Sequence, residues 1–222
     1  MEIRTAFHKK LGQIQDEILV MGSMVEKAIE QSIEALKNRD LELANKIIRD
    51  DRSINHKRYE IEEKCIQLIA TQQPMAGDLR NIICILNIIT ELERIGDYAE
   101  GIARIVLMIG DEPPLKPLID IPRMADRTRD MLRHSLDALV NHDAETARQI
   151  ASEDDEIDGL YDQVFRELLS FMIEDPKTIT RATRLVWVAH NLERAADRVT
   201  NICERVVFFV TGKLEEIGAS KY

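Results

Sequence analysis

Residues 92–97 read Leu92-Glu93-Arg94-Ile95-Gly96-Asp97, and residues 192–197 repeat this hexapeptide as Leu192-Glu193-Arg194-Ala195-Ala196-Asp197, one hundred positions later. Polar positions also recur earlier in the chain, where residues 38–44 match 141–147 and residues 51–55 match 154–158, both at an offset of 103. The change of offset falls where a turn between two helices is expected, and turns tolerate insertions. Unrelated amphipathic helices would not share polar residues in register, so the chain contains an internal duplication.

The spacing of apolar residues predicts that each copy consists of three long helices. One helical face runs from Leu11 to Leu36, a second helix is expected from Asp40 to just before Pro74, and a third from Asp78 to Ile109. The proline-rich segment 110–122 is expected to be non-helical. The pattern then returns in three further helices, over 124–140, 143–173 and 178–210. The prediction is an all-α fold of two tandem three-helix bundles, with six long antiparallel helices. The expected domains are 1–111 and 123–222, with 112–122 as linker.

Composition narrows the possible partners and the cellular compartment. Of 222 residues, 45% are apolar and 32% charged, and the formal net charge is −10, which repels nucleic acid and anionic lipid. The cysteines are dispersed among apolar residues, which indicates neither a zinc site nor disulfides. Residues 1–4 lack the apolar stretch of a signal peptide, and no apolar run is long enough to span a bilayer. The sequence therefore predicts a cytoplasmic protein.

Each copy also carries paired acidic side chains at helical spacing. Residues four apart share a helix face, so Glu93 pairs with Asp97 and Glu193 with Asp197. The preceding helices offer the same spacing in Asp51 with Asn55 and in Asp154 with Asp158. If antiparallel neighbours bring these pairs together, each copy presents up to four oxygen-bearing side chains in one place.

Two interpretations of these carboxylates remain open at the level of sequence. Hard cations such as Mg²⁺, Ca²⁺, Mn²⁺ and iron accept carboxylate oxygens and would offset their mutual repulsion. Alternatively, the acids form salt bridges with Arg94, Arg194 and neighbouring cations. A ferritin-like oxidase is not indicated, because none of the five histidines has a glutamate three residues before it.

The repeated hexapeptide, together with Gln73-Pro74-Met75-Ala76-Gly77-Asp78-Leu79-Arg80, resembles the PhoU family, and the resemblance covers nearly the whole chain. The resemblance implies multinuclear metal clusters on the acidic motifs. It also implies that the metal-binding positions are Asp51, Glu93, Asp97, Asp154, Asp158, Glu193, Asp197 and Asn201. The metal would be a divalent or trivalent ion, with iron, Mg, Mn, Ca and Zn as candidates. The copies differ, since Gly101 and Arg104 stand where the second copy has Asn201 and Glu204.

The same resemblance implies a regulatory function. Such a protein would be an accessory factor of phosphate uptake and a negative regulator of the phosphate-starvation response, without catalytic or organic-cofactor residues. Its partners would be the ATPase subunit of the phosphate ABC transporter and a membrane sensor histidine kinase, and it would form a homodimer. The alternative is a helical protein that stores metal or uses it for hydrolysis.

Overall fold

The computed structural model describes the backbone of residues 2–217 and the side chains of residues 7–217. Within that range it contains seven α-helices and one short 3₁₀ turn, and it has no β-strand. The helices are α1 (Glu2–Asn38), α2 (Leu41–Gln72), α3 (Gly77–Ile109), α4 (Asp120–Asn141), α5 (Ala144–Ser152), α6 (Asp154–Glu174) and α7 (Ile179–Thr211). The all-α prediction of two tandem helical bundles is therefore confirmed, with the fifth predicted helix divided in two.

Helix α1 begins at Glu2, nine residues before the predicted face at Leu11, whereas α2 and α3 begin and end close to the residues where local chemistry predicted it. The carboxylate of Asp40 accepts a hydrogen bond of 2.9 Å from the backbone N–H of Leu43, which caps α2. Gln73 ends α2 in the left-handed region at φ 47°, directly before Pro74. Gly110 ends α3 at φ 63°, a conformation that glycine adopts without strain. Backbone preferences thus set these boundaries.

Two helix predictions in the second copy were wrong. First, α4 begins at Asp120 rather than after Pro122, because a proline in the first turn of a helix removes an N–H that has no partner there. Second, the helix predicted over 143–173 is interrupted at Glu153. There the hydroxyl of Ser152 donates to the carbonyl of Gln149 at 2.6 Å, and the acidic residues from Asp154 onward favour a new helix N-terminus.

The two copies pack together along α3 and α7, which run antiparallel. Asn201 of α7 donates a 3.2 Å hydrogen bond to Glu91 of α3. In the repeat, Asn191 of α7 corresponds to Glu91, and Gly101 of α3 corresponds to Asn201. The amide of Asn191 lies against Gly101, where an added Cβ atom would be 3.0 Å from Asn191 Oδ1. Buried apolar side chains from both copies form one continuous core. This seam positions the repeated hexapeptides at the middle of the molecule.

No helix among residues 2–217 combines the length and hydropathy needed to cross a bilayer. The thiols of Cys65, Cys84 and Cys203 are all buried and free. The prediction that the chain starts without a signal peptide depends on Met1 and on the side chains of residues 2–6, which lie outside the described residues.

Candidate functional site

The first acidic cluster lies where α2 crosses α3 and comprises Asp51, Glu93, Asp97 and Glu100. Burial raises the pKa of Asp51 to about 6, with further contributions from the charges of Asp97, Glu100 and Glu93. The side-chain amide of Asn55 donates to Asp51 Oδ2 at 2.8 Å. Asp51 Oδ1 is buried and has no hydrogen-bond partner within the described residues. One carboxylate oxygen of this cluster is therefore buried without compensation, which is costly when it carries charge.

The second acidic cluster repeats this arrangement where α6 crosses α7, with Asp154, Asp158, Glu193 and Asp197. Burial raises the pKa of Asp154 to about 7, with contributions from Asp158, Asp197 and Glu193. Burial also raises the pKa of Glu193 to about 7, with a contribution from Asp197. Asp154 Oδ1, like its counterpart Asp51 Oδ1, is buried without a hydrogen-bond partner in the part of the chain that the structure describes. Both copies thus bring their carboxylates together as the repeat predicted.

Neighbouring arginines hold one carboxylate of each cluster. Arg94 Nη1 lies 3.2 Å from Asp97 Oδ2, and Arg194 Nη1 lies 2.5 Å from Asp197 Oδ2. Within residues 7–217, no three His, Cys, Asp or Glu side chains are arranged to hold a metal ion. A cation would have to draw the carboxylates together by side-chain rotation. The donor set fits a hard cation in its chemistry, because a positive charge would satisfy the buried oxygens and relieve the repulsion.

The sequence did not predict Glu100 as a member of the first cluster, and it did predict Asn201, whose observed contact lies outside both clusters. Glu100 belongs to the first cluster, although its counterpart in the second copy is Thr200, so a search for residues matched in both copies passes over it. Glu100 follows Asp97 by three residues and Glu93 by seven, and this helical spacing could have identified it as a member of the cluster. Asn201 lies one turn after Asp197, and its amide contacts Glu91 across the seam.

The two clusters differ in how open they are. A groove of about 330 Å³ beside the first cluster is lined by residues that include Met24, Ser53 and Glu100. At the equivalent positions of the second copy, Arg127 replaces Met24 and Glu156 replaces Ser53. The carboxylate of Glu156 forms ion pairs of 2.8 Å with both Arg127 and Arg123. Charged side chains thus bridge the second copy where the first has a groove.

Gly96 allows α2 and α3 to approach closely at the first cluster. A Cβ atom there would lie 3.2 Å from Ile54 Cδ1 and 3.7 Å from Asp51 Oδ1. We expect Gly96→Val to lower the free energy of unfolding by about 1–3 kcal/mol, because the added carbons overpack this crossing. Urea denaturation followed by circular dichroism measures the change.

The control for this substitution is Gly159→Val, which tests the same change where nothing lies within 4 Å of the new Cβ. We expect that variant to be neutral or slightly stabilised, because valine forms helix somewhat better than glycine. Equal destabilisation of both variants would show that the close approach at Gly96 is not the cause.

A family model described as the PhoU domain matches residues 18–106 and again residues 121–206. The chain is 40% identical over 211 residues to the phosphate-specific transport system accessory protein PhoU homolog of Clostridium acetobutylicum, covering 95% of this chain and 96% of that protein. It is 35% identical over 207 residues to the phosphate-specific transport system accessory protein PhoU of Escherichia coli, covering 93% and 86%.

Solved structures agree with these sequence comparisons. The crystal structure of the phosphate transport system regulatory protein PhoU from Streptococcus pneumoniae superposes with a TM-score of 0.88 at 32% identity, over 95% of this chain and 100% of that one. The crystal structure of PhoU from Pseudomonas aeruginosa gives the same TM-score of 0.88 at 34% identity, over 93% and 100%. The repeated hexapeptide, the doubled helical fold and these similarities together place the chain in the PhoU family.

Proposed function

We propose that this chain is a regulatory accessory protein of phosphate uptake and a negative regulator of the phosphate-starvation response. The observation that carries the proposal is the similarity, over nearly the full length of both proteins, to relatives named for an accessory role in phosphate-specific transport. The proposed activity is binding rather than catalysis. The protein would act in the cytoplasm, as a homodimer, and reach the membrane through its partners.

In this proposal the chain contacts two partners, the ATPase subunit of the phosphate ABC transporter and a membrane sensor histidine kinase. Long helices packed around one core form a stiff body with extended outer faces. A stiff binding surface shifts a partner's conformational equilibrium when it contacts one state of that partner more favourably than another. The proposal therefore needs no bond-breaking step in this chain.

The proposal is tested in a host strain whose own PhoU-family gene has been deleted. We expect the strain to express alkaline phosphatase at high phosphate, and we expect the intact chain to restore repression. An affinity-tagged chain should recover the transporter ATPase or the sensor kinase from cells grown in high phosphate. Normal repression in the deletion strain, together with recovery of neither partner, would reject the proposal.

A hydrolytic or metal-storing function is separated from the adaptor by a variant of the second cluster. Purified protein is assayed for phosphatase activity with and without added metal. Turnover that Asp197→Ala abolishes would favour the hydrolase, whereas lack of turnover with retained partner binding favours the adaptor.

We also propose that a metal cation binds at the acidic clusters. Asp51, Asp154 and Glu193 would supply the buried carboxylate oxygens, and the bound ion would supply positive charge that neutralises them. We expect Mn²⁺ or Mg²⁺ at about one hundred times its dissociation constant to stabilise the protein by about 2.7 kcal/mol for each occupied cluster at pH 8. This corresponds to a melting temperature raised by roughly 5–10 °C.

Thermal denaturation with and without the cation measures this effect. The control is the double variant Asp154→Asn with Asp51→Asn, which lacks one buried carboxylate in each cluster and should lose most of the response. A response that persists unchanged in the double variant would place the cation outside the acidic clusters.

A further inference from the structure

The outer surface of the hairpin formed by α6 and α7 exposes large apolar side chains in a regular row. Phe165, Leu169 and Ile173 follow one another at intervals of four residues, and their side chains are 43%, 42% and 74% exposed. Residues four apart lie on one face of a helix, so these three form a continuous stripe along α6. Isolated exposed apolar residues are common on monomers, but contiguous apolar patches mark interaction sites.

The first turns of α7 extend the stripe into a surface two helices wide. Ile179 is 47% exposed and Trp187 is 48% exposed. The ring centroids of Tyr161 and His190 are 6.1 Å apart, which sets the register of these antiparallel helices. In that register Ile173 lies level with Ile179, and Phe165 lies level with Trp187. We call this surface, Phe165, Leu169, Ile173, Ile179 and Trp187, the hairpin face.

The hairpin face has an acidic end. One turn before Phe165, the ring of Tyr161 lies 6.4 Å from the Phe165 ring. Tyr161 lies beside His190, whose Nδ1 is 3.4 Å from Glu193 Oε2, so the Tyr161 ring lies next to the second acidic cluster. The apolar stripe therefore leads directly to the carboxylates of Asp158 and Glu193.

Charge decides which kind of molecule this surface suits. The net charge of −10 does not decide this, because the homodimer proposed above would form despite it; the acidic end of the hairpin face does. A partner that offers apolar side chains along one face and basic side chains at one end complements both parts of the surface. Amphipathic helices bind grooves in this manner, with anchors at successive turns.

We propose that the hairpin face is the docking site of a partner's amphipathic helix of about three turns, with apolar anchors one turn apart and Lys or Arg at the end that meets Asp158 and Glu193. The stripe from Tyr161 to Ile173 is about 18 Å long at the α-helical rise, which sets the length of the bound helix. This inference rests on the proposed function, because it identifies the surface through which the adaptor binds a partner.

The test uses the intact chain and a defined probe at pH 8. Chelator is present because a cation bound at the second acidic cluster would compete with the probe's lysines. The probe is a sixteen-residue helical peptide without tryptophan, with leucine at positions four apart and three lysines at one end. Trp187 is the chain's single tryptophan, so its fluorescence reports binding at this surface. We expect saturable binding of the probe that Leu169→Ser weakens at least about tenfold, the effect of losing one buried apolar anchor.

A matched control is available in the first copy. Ile66 stands at the position equivalent to Leu169, on α2, and is 54% exposed. Ile66→Ser should leave the probe's affinity unchanged within about twofold. Equal weakening by both substitutions would overturn the proposal, as would equal affinity for a probe with glutamates in place of the lysines. Sedimentation that shows a dimer of the intact chain, lost in Leu169→Ser, would assign the hairpin face to a second copy instead.

Repression of alkaline phosphatase in cells separates failure of this proposal from failure of the proposed function. Lost peptide binding with normal repression in Leu169→Ser cells would retain the regulatory function and reject the hairpin face as its docking site. Specific peptide binding by a chain that does not regulate phosphate uptake would retain the surface and reject the function.

Discussion

Metal-free protein is expected to lose stability as the pH rises from 5 to 8, and the substitution Asp154→Asn is expected to remove a large part of that loss. Folding raises the pKa of Asp154 from 3.8 to about 7, that of Glu193 from 4.5 to about 7, and that of Asp51 from 3.8 to about 6. Burial is the main cause in all three. The pH at which each group releases its proton therefore differs between the folded and unfolded states.

The sign of the effect follows from proton binding. Between about pH 4 and pH 7 the folded protein retains protons that the unfolded chain has already released. Stability is therefore highest below the unfolded pKa values and falls as the pH rises through the folded ones. Allowing for solvent screening and coupling among the groups, we expect a loss of roughly 2–5 kcal/mol between pH 5 and pH 8. The melting temperature should fall by roughly 5–15 °C.

Differential scanning calorimetry in chelating buffer at several pH values measures this dependence. Asp154→Asn keeps the shape of the side chain without its charge, so the variant should be more stable than the natural protein at pH 8. The matched control is Asp155→Asn, on the exposed neighbouring residue, whose charge makes only the smallest contribution to the raised pKa of Asp154. It should change stability by about 0.5 kcal/mol or less. A natural protein that gains stability between pH 5 and pH 8 would contradict the prediction.

The gathering of carboxylates was predictable because it follows from helix geometry and from duplication. Glu93 and Asp97 must share a face of α3, and the same holds for Glu193 and Asp197 on α7. Asp51 and Asp154 lie on the preceding helix of each copy, and only one side of that helix packs against these faces. Most helix ends were predictable for a different reason, since the cap at Asp40, the proline after α2 and the glycine after α3 act on the backbone locally.

What the sequence did not predict depends on contacts between copies or on single side chains. Glu100 joins the first cluster without a matching acid in the second, so the repeat did not point to it. The carboxylate of Glu91 is held by Asn201 from the other copy, a pairing that no local pattern predicts. The break in the helix at Glu153 arises from hydrogen bonds around Ser152. The apolar spacing, which predicted one continuous helix, contains no sign of them.

Leu92→Ala is expected to lower the free energy of unfolding by about 2–5 kcal/mol and to destabilise both copies at once. Leu92 is fully buried in α3, and truncating a buried leucine removes apolar contacts and leaves a cavity. The buried residues of the two copies form one continuous core. A cavity in the first copy should therefore weaken the whole molecule rather than one bundle.

The position of Trp187 makes this cooperativity measurable. It is the only tryptophan and lies in the second copy, whereas circular dichroism at 222 nm, a standard helix signal, reports all helices. In Leu92→Ala both signals should shift together, by roughly 5–15 °C. The control Leu79→Ala, on the same helix at a side chain that is 38% exposed, should shift neither signal by more than about 2 °C. If the Trp187 transition stayed at its original temperature while part of the helical signal melted early, the two copies would be independent folding units and the seam between α3 and α7 a secondary contact.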